Sequence, residues 1–129
     1  MSSFNSYLYA LGVTEQFLPD EYNLQNNQLT VPNNFVLSRM KSGDILSVYL
    51  DNVWDLSPYL PNCHCRLNFN SWLENFREDD FLFCQIRTEM KKIIFAFLYV
   101  KTGKSIVKSI EQRHTVLRQF AAIAYRSGC

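Results

Sequence analysis

Glycine and proline are scarce in this sequence, four of each among 129 residues. That scarcity excludes collagen-like repeats, linker composition and extended disorder. Long hydrophobic runs are missing too. The longest, Ile93-Ile94-Phe95-Ala96-Phe97-Leu98-Tyr99-Val100, is bounded by lysines and falls well short of the ~20 residues a bilayer-crossing helix needs. No membrane partner is expected. The amino terminus, MSSFNSYLYALGV, has neither the basic start nor the apolar stretch of a secretory signal, so a cytoplasmic location is expected.

Histidine is scarce as well, with only His64 and His114, which leaves no base, nucleophile and orienting group that can be argued into one catalytic set. His114 lies between Ile110 and Leu117 and reads as a histidine at a packing edge. Cys63-His64-Cys65 suggests a metal site, but structural zinc takes two spaced ligand pairs and no second pair exists. No metal and no cofactor are therefore expected. Lys101-Thr102-Gly103-Lys104-Ser105 resembles the end of a phosphate-binding loop. Its first glycine would fall at Leu98, so a helix stop, a turn and a new helix start are expected instead.

What is present is apolar and aromatic material, 47% and 15% of the chain, enough for one domain with its own core and no need of disulfides. A helix around 5–11 ends at Gly12, and QNNQLTVPNN reads as turn and loop. Within 43–60, Val48, Tyr49, Val53 and Trp54 suit a pleated surface, with Asp51-Asn52 as a turn between two short strands. Ser71-Trp72-Leu73-Glu74 fits a capping box and predicts a short helix. Glu78-Asp79-Asp80 predicts the start of a second, whose apolar stripe is Ile86, Met90, Ile93, Ile94, Phe97 and Leu98. That helix should stop at Thr102-Gly103, and a last one should run from near Ser105 to about Ser127, with Gly128 as its stop. Its expected buried stripe is Ile106, Ile110, Leu117, Phe120, Ala121 and Ala124. These signals predict a mainly α protein: a helical bundle with a small β-hairpin element in the amino-terminal half. Residues 1–69 form an aromatic, acidic region with short strands, and 70–129 a helical region.

The formal net charge of +1 conceals a division. From Ile86 onward nine Lys and Arg stand against two acids, whereas the first 85 residues hold four bases and ten acids. Such asymmetry points to a polyanionic partner for the carboxy-terminal part, or to attraction between the halves. On the last helix Lys108, Gln112, Thr115, Arg118 or Gln119, Ala122 and Arg126 recur at helical spacing. A face that combines cations with Gln and Thr can neutralise phosphates and reach base edges.

Two stretches carry a resemblance. "VWDLSPYL" (53–60) followed by "RLNFNSWL" (66–73) resembles a segment preceding the core-binding region of tyrosine recombinases of the phage-integrase type, found in bacterial mobile elements. Residues 90–129, with the pattern Leu117-Arg118-Gln119-Phe120, resemble the start of that core-binding domain. The resemblance implies a helical bundle that clamps DNA, with Lys91, Lys92, Lys104, Lys108, Gln112, Arg113, Thr115 and Arg118 facing the duplex. Double-stranded DNA, and further copies of the chain on it, are the implied partners. The sequence departs from the family in lacking His-x-x-Arg and the other catalytic residues. The expectation is thus a DNA-binding, non-catalytic portion of a site-specific recombinase: the amino-terminal part of a longer protein, or a short relative that kept binding alone. The alternative is an interaction module that docks a partner through its aromatic amino-terminal surface.

Overall fold

The computed structural model describes residues 3–22, 29–60, 65–100 and 109–128. In chain order these form α1 (Ser3–Ala10), a 3-10 turn (Glu15–Phe17), β1 (Val36–Arg39), β2 (Ile45–Val48), β3 (Val53–Asp55), a second 3-10 turn (Ser57–Tyr59), β4 (Arg66–Asn68), α2 (Phe81–Tyr99) and α3 (Ile110–Ser127). The architecture is mixed α/β, which corrects the expected mainly α bundle. β1 pairs with β2 and β3 with β4, giving two small antiparallel sheets.

The strands around Asp51-Asn52 exist, but they do not make one hairpin. The Asp51 carboxylate accepts the backbone N–H of Val48 at 3.0 Å, and its carbonyl accepts the indole N–H of Trp54 at 2.9 Å. That knot carries the chain out of one sheet and into the other. The two sheets stay attached through Ser47, whose hydroxyl accepts the Asp55 N–H at 3.0 Å. β1 lies in a region with few strand signals, yet Val36, Leu37 and Ser38 are all buried. Tyr59 adds a second fastening. Its hydroxyl donates to the Phe17 carbonyl at 2.6 Å and accepts the Arg39 N–H at 2.9 Å.

No helix follows Ser71. The Ser71 hydroxyl donates to the Asn68 carbonyl at 3.3 Å rather than capping, and Asn75 takes a left-handed φ of 56°. Aromatic packing overrides the capping pattern: Trp72 and Phe76 both stack on Phe83, with centroids at 4.9 and 4.6 Å. The acidic signal at the next helix is met. The Asp80 side chain accepts the Phe83 N–H, satisfying one of the free donors of α2.

The buried side of α2 is Phe83, Met90, Lys91, Ile94, Phe95, Leu98 and Tyr99. This is rotated from the expected stripe: Ile93 points outward, and Lys91 and Phe95 point in. The reason is aromatic. Phe95 is ringed by Tyr99 at 4.4 Å, Tyr22 at 4.8 Å, Phe35 at 5.3 Å and Tyr49 at 5.7 Å. Phe4, Phe17, Tyr22 and Phe35 are thus core side chains. The aromatic amino-terminal surface of the interaction alternative is largely interior. Regions 1–69 and 70–129 share this one core.

α3 packs along α2 with Ile110, His114 and Ala121 buried, and ends at Gly128, whose φ of 72° is the left-handed stop the sequence predicts. Phe120, expected inside, is 64% exposed. The expected stop at Gly103, the helix start near Ser105 and Ile106 all fall outside the described residues. Among the described residues no helix is long and apolar enough to cross a membrane.

Candidate nucleic-acid interface on the third helix

α3 is oriented by its ends. Glu111 lies in its first turn and Arg126 in its last, each at the pole its dipole favours. With Ile110, His114 and Ala121 turned inward, the 3.6-residue period places Thr115, Arg118, Gln119, Ala122 and Arg126 along another face. There they border an open cleft of about 400 Å³, closed on its other side by Ser71 and Trp72. Among the described residues lining it, two are arginines and none is a carboxylate.

Arg118 spans the cleft. Its Nη1 donates to the Ser71 hydroxyl at 3.4 Å, while its Nε is buried with no hydrogen-bond partner among the described residues. Thr115 is exposed and donates its hydroxyl to the Glu111 carbonyl at 3.0 Å. Ala122 adds a small side chain to the lining. This arrangement can hold an anion. Nothing in it supplies a nucleophile beside a base.

Beside the cleft, His114 is only 3% exposed and sits edge-on to Phe69 at 5.3 Å, with no hydrogen-bond partner for its Nε2 among the described residues. Burial, reinforced by the Arg118 charge and opposed by a backbone hydrogen bond at Asn68, pushes it down to about 4. It is a neutral packing histidine at pH 7.

The other sequence-derived candidates scatter. Lys91 does not face outward, which corrects its assignment to the duplex. Its ammonium donates to the Leu50 carbonyl at 3.1 Å and to Asn52 Oδ1 at 2.9 Å, and stands 6.0 Å over the Phe69 ring. Burial, with the neighbouring Arg87 cation, pushes it down to about 8. Lys92 is exposed and pairs with Glu89 at 3.4 Å. Gln112 and Arg113 lie on the side of α3 that borders α2. The Arg113 guanidinium lies 4.8 Å over Phe97, and its Nε donates to Ser109 at 3.1 Å. Lys104 and Lys108 lie outside the described residues, as do Cys63 and His64 of the Cys-His-Cys motif. Among the described residues no group of three His, Cys, Asp or Glu could hold a metal ion.

Of the eight candidates, Thr115 and Arg118 therefore share one site. Arg126 and Gln119 join them, as their helical spacing foretells. Ser71 is the addition spacing could not find, because it comes from a turn 47 positions away. Of the ion pairs among the described residues, one joins the basic end to the acidic front: Arg87 grips Glu78 through contacts of 2.9 and 3.0 Å.

Comparisons with protein-family models, with curated proteins and with solved structures find no match to this chain.

Proposed function

We propose that the chain is a DNA-binding, non-catalytic module of the tyrosine-recombinase type, and that it meets the duplex through the outer face of α3. The observation that carries this reading is the cleft where Thr115, Arg118, Gln119 and Arg126 lie together with Ser71 and with no lining carboxylate among the described residues. Arginines supply paired donors for phosphate oxygens, and Gln and Thr can read base edges or fix register on the backbone. The same reading is supported by Arg118 and Arg126 having no carboxylate partner among the ion pairs of the described residues.

The reading is tested by retention on duplex DNA at low salt. Arg118→Glu with Arg126→Glu is expected to abolish retention while leaving the circular-dichroism spectrum and melting profile in place. Undiminished retention by the folded double variant would exclude this face.

A further inference from the structure

The seam between α2 and α3 is open to the outside and apolar, and it lies about a third of a turn around α3 from the polar cleft. Two hollows lie along it, of about 450 and 280 Å³, and both are bordered by Ile93, Leu117 and Phe120. Between them Phe120 projects, 64% exposed, beside Val116 at 51% and Ile93 at 41%. An unpartnered row of this kind at the centre of a helical seam is the composition of an interface core, where charge is depleted and aromatic side chains anchor.

The charges at its two ends decide the occupant. Arg113 borders the larger hollow and Glu89, which also pairs with Lys92, the smaller, so the seam carries a cation at one end, apolar side chains in the middle and a carboxylate at the other. A two-fold axis through Phe120 and Ile93 exchanges the ends. It sets Arg113 of each copy against Glu89 of the other, and each Phe120 against its partner's hollows. Self-complementarity under a two-fold rotation is the requirement of an isologous dimer.

We propose that this seam is a homodimer interface, formed by a second copy of the chain packed on α2 and α3 about a two-fold axis at Phe120. The proposal is independent of DNA binding. In such a dimer the cleft bordered by Arg118 and Arg126 stays outside the contact.

Sedimentation velocity of the intact chain without DNA, across the micromolar range, tests it. The wild type is expected to move between monomer and dimer with concentration. Phe120→Glu is expected to weaken the dimer at least about tenfold. Val116→Lys is a second probe of the same row if the first variant folds poorly. Arg113→Glu and Glu89→Arg are each expected to weaken the dimer, and the two together to restore it. A wild type that stays monomeric throughout overturns the proposal and leaves the seam to another occupant. So does open-ended growth beyond a dimer, a dimer indifferent to Phe120→Glu and Val116→Lys, or a charge exchange that fails to restore association. Arg118→Glu with Arg126→Glu should leave dimerisation unchanged, so failure of the DNA reading and failure of this one are separable.

Discussion

Lys91 is held by Asn52 across 39 positions of sequence, its ammonium 2.9 Å from the amide oxygen. With the second hydrogen bond to the Leu50 carbonyl, this ties the middle of α2 to the bend between the two sheets. The stem lies in the core while the head finds acceptors at its edge. Lys91→Met keeps the stem and removes both donors. It is expected to lower stability by about 1 kcal/mol, the unpaired acceptors being partly offset by relief of a buried charge. Urea midpoints read the change. A variant more stable than the wild type would mean that the buried charge outweighs its hydrogen bonds.

His114 sets an acid limit. The unfolded chain takes up the imidazole proton near pH 6.5 and the folded chain only near 4. This histidine's contribution to stability is therefore full above about pH 6.5 and is lost as pH falls through that window. The loss is expected to reach about 3 kcal/mol by pH 4. Denaturant unfolding of the wild type and His114→Phe at several pH values measures it. Parallel curves for the two proteins would exclude the histidine as the cause.

Phe95 and Phe81 sit in one helix with opposite fates, the first fully buried and the second 80% exposed. Phe95→Ala is expected to cost about 3–5 kcal/mol through the cavity it opens among Tyr22, Phe35, Tyr49 and Tyr99. Phe81→Ser should stay within about 0.5 kcal/mol of the wild type. Thermal and urea unfolding of both distinguish this core from one centred on the expected stripe, where Ile93 rather than Phe95 would be the sensitive residue.

Binding through phosphates must depend on salt. Each neutralised phosphate contributes a slope of about 0.9 in log affinity against log salt. Replacing Arg118 and Arg126 by Gln is therefore expected to reduce the slope by about two. Fluorescence anisotropy on a labelled duplex at several salt concentrations gives it directly, and an unchanged slope would move the phosphate contacts elsewhere on the chain.

Local signals were legible and distant ones were not. The Asp80 cap and the Gly128 stop each depend on atoms within a few residues, and both stand where the pattern puts them. The face of Thr115, Arg118, Gln119 and Arg126 follows from helical period alone. The turn at Ser71 could not be read, because Trp72 and Phe76 are drawn onto Phe83 by stacking that outweighs a capping preference. The inward turn of Lys91 was hidden for a related reason: its acceptors come from a bend about 40 positions earlier. β1 was missed because its burial arises from partners in β2 and beneath it, not from alternation in its own four residues.

The Tyr59 hydroxyl is at once a donor to one segment and an acceptor from another. A one-residue slip of β1 would break one end of that pair, because the phenol cannot follow the Arg39 amide without abandoning the Phe17 carbonyl. A single oxygen atom thus acts as a ruler for strand alignment, adding a penalty for a misthreaded hairpin to that of the ladder bonds themselves.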